Sequence, residues 1–242
     1  MVKTRRWDSR VNDPSAPFGG NAKFIFVGLT AVAAIALTVI AFNVTRPATT
    51  TAAANPIPTF GTVAPTRTTF AAVGDSVTEG DSPSFSEMRT GSLSWVTYIK
   101  DPGLRFVGGF AKGGSSTAAM VRNVTRYAAD DLVILAGTND TGLVPFAEST
   151  SNLDKIVTQA GVRRVYVVSI PPRNADPQLS VDYNAKLKML AQQRGWTYVD
   201  AYSAIVTAGS YSPGLTIDGI HPTVDGAKKI ADTIQAAMLA KL

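Results

Sequence analysis

From residue 68 onward, short apolar runs alternate with segments whose apolar residues recur at helical spacing. Residues 69–73, 104–107, 132–136, 165–170 and 197–199 read as strands, and helices are expected near 92–100, 115–128, 146–160, 179–194 and 222–241. In the last of these, Val224, Ala227, Ala231, Ile234 and Met238 fall on one face. Strands that alternate with helices predict a parallel sheet covered on both sides. Ligands of such sheets bind beyond the carboxyl ends of the strands. Ser76 and Asn139 follow directly after predicted strands, so both fall at that edge.

The N-terminal quarter has a different pattern. Residues 24–42, FIFVGLTAVAAIALTVIAF, contain no charged side chain. As a helix they would span roughly 28 Å, close to the thickness of a bilayer's hydrocarbon core. Five basic residues precede the run, and only Arg46 and Arg67 follow it before the strand–helix alternation begins. The positive-inside rule then places residues 1–23 in the cytoplasm as a basic head and the remainder outside. The run is longer than the apolar region of a signal peptide, and no small-residue cleavage site closely follows it. A single-pass membrane anchor is therefore expected, with secretion after cleavage near Ala52-Ala53-Ala54 as the alternative. Residues 43–67 are rich in Thr, Ala and Pro without apolar periodicity, the composition of a tether. The domain expected to carry the chemistry is 68–242.

Charge changes the picture only when it is divided along the chain. The net charge of +5 suggests an anionic partner, yet residues 1–67 hold seven basic and two acidic groups and so account for the whole surplus. Residues 68–242 hold sixteen of each. Nucleic-acid binding loses its main support. Cysteine is absent, which removes disulfides, thiolate metal sites and a cysteine nucleophile. A single histidine with scattered aspartates does not make the usual nitrogen-rich metal set, so neither metal nor cofactor is expected.

That histidine, His221, lies in Asp218-Gly219-Ile220-His221-Pro222. Any imidazole-based mechanism has to use it. Asp218, three residues earlier, can reach its Nδ1–H within one turn, which leaves Nε2 to accept a proton. Pro222 suits the first position of the final helix. Upstream, Gly74-Asp75-Ser76 ends the first predicted strand; there Ser76 can present a hydroxyl, and Asp75 or Ser76 can equally cap the next helix. Asn139, in Gly137-Thr138-Asn139-Asp140, brings an amide donor to the end of the third strand, and Gly114 brings a backbone N–H after the second. Serine, histidine and aspartate with such donors are the requirements of acyl transfer.

Taken together, Gly74-Asp75-Ser76-Val77-Thr78-Glu79-Gly80, Gly114, Gly137-Thr138-Asn139-Asp140 and Asp218-Gly219-Ile220-His221 resemble the four sequence blocks of the SGNH, or GDSL, hydrolases. The resemblance spans residues 68–242. It implies a three-layer α/β/α, flavodoxin-like domain with a five-stranded parallel sheet, here preceded by a transmembrane helix. It also implies Ser76 as nucleophile, His221 as base, Asp218 as its orienter, and an oxyanion hole from the Ser76 and Gly114 N–H groups with the Asn139 side chain. The second block departs from the family pattern. Gly109-Phe110-Ala111-Lys112-Gly113 lacks the asparagine often found there, and Gly114 is preferred over Gly113 for the Ser-Ser-Thr that follows. The expected activity is ester hydrolysis on a small ester or an acylated polysaccharide or lipid, with O-acyl transfer and non-catalytic binding as alternatives. The loops 79–88 and 138–145 are expected to wall the pocket.

Overall fold

The computed structural model describes residues 67–242. The basic head 1–23, the apolar run 24–42 and the tether up to residue 66 lie outside these residues. Among the described residues, no helix is long and apolar enough to cross a membrane.

Five parallel strands form the central sheet: β1 (Thr68–Gly74), β2 (Leu104–Ala111), β3 (Asp131–Leu135), β4 (Arg164–Val168) and β5 (Thr197–Val199). Their order is β2-β1-β3-β4-β5, that of a flavodoxin-like doubly wound sheet. Successive strand residues point to opposite faces, and the two cores follow from that alternation. Phe70, Ala72, Val133 and Leu135 pack with Trp95 and with Ile230, Ile234 and Met238 of helix α5 (Val224–Leu239). Ala71, Val73, Leu132 and Ile134 face the other way, onto Met120, Leu153, Ile156 and Leu187. Those last four lie on α2 (Thr117–Val121), α3 (Phe146–Ala160) and α4 (Pro177–Arg194). Helices thus cover both faces, and all five β3 residues are buried.

Several elements differ from their sequence pattern for identifiable reasons. Strand β2 continues to Ala111 because Gly108 and Gly109 form an irregularity opposite β1 rather than an end. At Gly109, with φ +159°, a Cβ would lie 1.9 Å from the Ala72 carbonyl, so only glycine lets the two strands stay paired there. The helix expected near 92–100 is a single 3₁₀ turn, Trp95–Tyr98, and the one near 115–128 stops at Val121. In the first case side-chain bonds compete with a helix: Trp95 donates its indole N–H to Thr78 Oγ1 at 3.2 Å, and the Thr97 hydroxyl bonds the Gly91 carbonyl at 2.6 Å. In the second, the Asn123 and Val124 N–H groups both return to the Met120 carbonyl and the chain leaves for β3.

Helix α3 has the expected limits, whereas α4 begins two residues early on Pro177, whose missing N–H is no loss in a first turn. Pro222 is not the first residue of the final helix. Thr223 is the cap, its hydroxyl accepting from the Gly226 N–H, and α5 starts at Val224. A short hairpin, β6 (Val206–Thr207) with β7 (Ser210–Tyr211), has no clear sequence signal. Its two-residue turn, Ala208-Gly209, has positive φ at both positions but lacks the Asn-Gly or Asp-Gly pair that usually marks one.

Candidate active site

Helix α1 (Ser76–Glu79) begins directly beyond the carboxyl end of β1. Asp75 caps it, Oδ1 accepting the Val77 N–H at 3.0 Å, so the capping role falls to Asp75 and the Ser76 side chain is left free. Ser76 Oγ lies 2.9 Å from His221 Nε2, across 145 residues of sequence. His221 Nδ1 lies 2.7 Å from Asp218 Oδ2. With Nδ1–H donating to the carboxylate, the Nε2 lone pair faces the serine hydroxyl.

The turn that carries both residues is held from three sides. Asp218 Oδ1 accepts the N–H groups of Ile220 (2.9 Å) and His221 (2.8 Å). The His221 carbonyl accepts from the Ile217 N–H and the Thr216 hydroxyl, each at 2.9 Å. Tyr211, placed by the small hairpin, donates its hydroxyl to the Ile220 carbonyl at 2.9 Å. The donors converging on Asp218, with the His221 N–H foremost, lower its carboxyl pKa to about 2.

Gly113 and Gly114 separate in role. Gly113 gives its N–H to Glu79 Oε2 at 2.6 Å, and a Cβ at Gly113 would lie 3.8 Å from Ser76 Cβ. This turn is therefore adjacent to the serine. The N–H groups of Gly114 and Ser76 meet no protein acceptor among the described residues. Asn139 is tied to the same turn, Nδ2 donating one hydrogen to the Ser115 carbonyl at 3.1 Å. Its other amide hydrogen has no protein acceptor among the described residues. The structure thus joins Ser76, His221 and Asp218 in one hydrogen-bonded chain, puts the Gly113-Gly114 turn next to Ser76 and ties Asn139 to Ser115, the residue that follows that turn.

Sequence reasoning missed the groups that hold these donors. Asp140 is fully buried, and its carboxylate accepts from the Thr117 N–H (2.9 Å), the Thr117 hydroxyl (2.5 Å) and the Ser149 hydroxyl (2.7 Å). Asn152 adds a bond to Thr117 Oγ1 at 3.1 Å. The Asn139–Asp140 pair therefore fastens the third sheet-edge loop to the second, and Arg173 braces it by donating to the Thr138 carbonyl at 2.8 Å. Adjacency to Asn139 was the signal for Asp140. Asp75 is equally hidden: burial pushes its carboxyl pKa up to about 6, against the pull of Val77, Thr138 and His221. Its Oδ2 and the Thr138 hydroxyl are close enough for that pull, yet neither makes a well-formed hydrogen bond.

A pocket of about 300 Å³ opens at the serine, bordered by Ser76, Gly80, Leu93, Ile217, Asp218, His221 and Pro222. Larger clefts along α3 contain none of these groups. Of the loops expected to wall it, 79–88 contributes only Gly80 and 138–145 contributes nothing. The first loop folds back on itself through the Ser84–Arg89 bridge and delivers Leu93 to the pocket instead. The second is drawn inward, with Asp140 bonded to Thr117 and Ser149 and the Thr141 hydroxyl to the Leu179 carbonyl.

A family model for GDSL-like lipases and acylhydrolases matches residues 72–229. No curated protein matches the chain. Among solved structures, a member of the lipolytic G-D-S-L family from Veillonella parvula aligns with TM-score 0.57 at 18% identity, over 72% of this chain and 98% of that one. A GDSL-like lipase from Bacteroides thetaiotaomicron aligns at 0.55 and 21%, over 72% and 89%. An acetylxylan esterase from Geobacillus stearothermophilus, a catalytic mutant, aligns at 0.55 and 18%, over 72% and 94%. At such identities the likeness is one of fold.

Proposed function

The chain belongs to the GDSL-like lipase/acylhydrolase family, and from that premise we propose that it is a membrane-anchored serine esterase working through an acyl-enzyme on Ser76. The observation that carries this reading is the continuous Ser76–His221–Asp218 chain, with contacts of 2.9 and 2.7 Å. His221 Nε2 takes the Ser76 proton as Oγ attacks the ester carbonyl, and Asp218 stabilises the imidazolium that forms. The developing oxyanion meets the Ser76 and Gly114 N–H groups and the free amide hydrogen of Asn139. His221 returns its proton to the leaving alcohol, and water, activated by the same imidazole, releases the acid.

The anchor reading rests on the uncharged run 24–42 with its basic head. An outward-facing domain meets two ester classes there, O-acyl groups of surface polysaccharide and lipid esters. The test is hydrolysis of p-nitrophenyl acetate and octanoate by the full chain and by Ser76→Ala. Turnover that vanishes in the variant supports a serine esterase, and a folded wild-type chain without turnover rejects it. Retention in membranes after alkaline carbonate washing tests the anchor; release into the wash rejects it.

A further inference from the structure

The pocket beside Ser76 borders His221 and Asp218 but none of Gly113, Gly114, Ser115 or Asn139. This asymmetry has a chemical meaning once the tetrahedral intermediate is placed. Its carbon bears four groups: Ser76 Oγ, the oxyanion, the acyl chain and the leaving alkoxy group. The oxyanion is directed to Gly114 and Asn139. The alkoxy oxygen has to receive its proton from His221 Nε2, so it lies on the imidazole side, and the chain attached to it continues into the space His221 borders. The acyl chain leaves in the remaining direction.

Away from the reacting groups that space is apolar, and hydrogen bonds hold both of its walls. Asp81 fixes one wall, accepting the Leu93 N–H at 2.7 Å and the Ser92 hydroxyl at 2.9 Å. Ile217 forms the other, next to Asp218 in the catalytic turn, with its N–H on the His221 carbonyl at 2.9 Å. Ile217 is 59% exposed and lends little to the core. Pro222 completes the rim and offers no N–H.

Building on the esterase reading, we infer that the pocket of Leu93, Ile217 and Pro222 holds the leaving alcohol and selects esters of apolar, alkyl or aryl alcohols over O-acylated sugars. A sugar leaving group would bring several hydroxyls against apolar walls, with bonds to water lost and few partners gained.

The test uses the full chain with two ester series: ethyl, butyl and hexyl acetate, then ethyl acetate, butyrate and octanoate. Aliphatic alcohols of these lengths differ little in acidity, so the first series varies apolar length alone. In wild type, kcat/KM is expected to rise about two- to fourfold per alcohol methylene. The double variant Leu93→Ala, Ile217→Ala is expected to flatten that rise while the acyl series keeps its slope. If it flattens the acyl series instead, the pocket holds the acyl chain and the inference is overturned. No change in either series overturns it too. A second readout needs no turnover: His221 is the sole histidine, so its imidazole NMR signal is a single reporter. Added n-hexanol is expected to shift this signal in wild type and to need several-fold more alcohol in the variant. An unresponsive signal overturns the inference even if esters are cleaved. A responsive signal in a chain that cleaves no ester supports the pocket and rejects the esterase reading.

Discussion

Glu79 accepts the Gly113 N–H at 2.6 Å, and this one bond divides the Gly113-Gly114 pair. The first amide is consumed, and the second, that of Gly114, meets no protein acceptor among the described residues. Glu79 closes α1 while Ser76 opens it, so a helix of four residues ties the proposed nucleophile to the loop proposed to receive the oxyanion.

Glu79 is accordingly a positioning residue. Glu79→Ala is expected to lower kcat about tenfold, the order of one charge-assisted hydrogen bond, with little effect on KM. Glu79→Gln retains an acceptor and should recover part of the loss. Steady-state kinetics decide it, and an unchanged kcat in the alanine variant would remove Glu79 from this role.

Removing the reacting groups should be far more severe. Ser76→Ala and His221→Ala are each expected to cost about 10⁴-fold or more in kcat, since nucleophile and base act as a unit. Circular dichroism should show an intact fold in both. Asn139→Ala should lower kcat by roughly 10²–10³. Near-normal turnover in any of the three would contradict the mechanism at that residue.

Asp75 and Asp218 respond to pH in opposite senses. The folded-state pKa of Asp75 is raised by burial to about 6, so folding favours its protonated form. Its contribution to stability is full below about pH 4 and is lost as pH rises through 6. Asp75→Asn keeps an oxygen for the Val77 N–H and removes the charge. It should therefore stabilise the fold at pH 8 by about 3 kcal/mol relative to wild type, given the rise to about 6, and by little at pH 4. Urea denaturation at both pH values measures this; equal effects at the two would refute it.

Asp218 is depressed to about 2, so its contribution is present above about pH 4 and is lost only as pH falls through 2. Activity lost between pH 7 and 5 should therefore not arise from Asp218. Asp218→Asn should lower kcat at pH 7, because the carboxylate that orients and stabilises the imidazolium is gone; steady-state kinetics measure it, and an unchanged kcat would contradict that role.

Gly137 tests the packing beneath Asn139. Its φ is +126°, and an added Cβ would lie 2.2 Å from the Tyr183 ring. Gly137→Ala is expected to destabilise the fold by about 2–4 kcal/mol through overpacking and backbone strain. Thermal denaturation checks it, and a melting point within a degree of wild type would show that the loop yields freely.

Much of this was legible in one dimension. Alternating apolar runs disclosed five strands and the helices between them, because burial on both faces of a parallel sheet requires that pattern. The four motif blocks singled out Ser76, Gly114, Asn139, Asp218 and His221 as candidates, because each block falls where a predicted strand ends or a predicted helix begins. What sequence could not supply were the relations among loops distant in the chain. The choice of Gly114 over Gly113 depends on a Glu79 bond spanning 34 residues. The bracing of Asn139 depends on Asp140, whose partners Thr117 and Ser149 lie on two other elements. The pocket wall at Leu93 depends on Asp81 gripping a returning chain. Local propensity and periodicity are properties of neighbours along the chain. Which amide is spent, which carboxyl is stripped of water and which side of the histidine lies open are set only when distant segments are packed together.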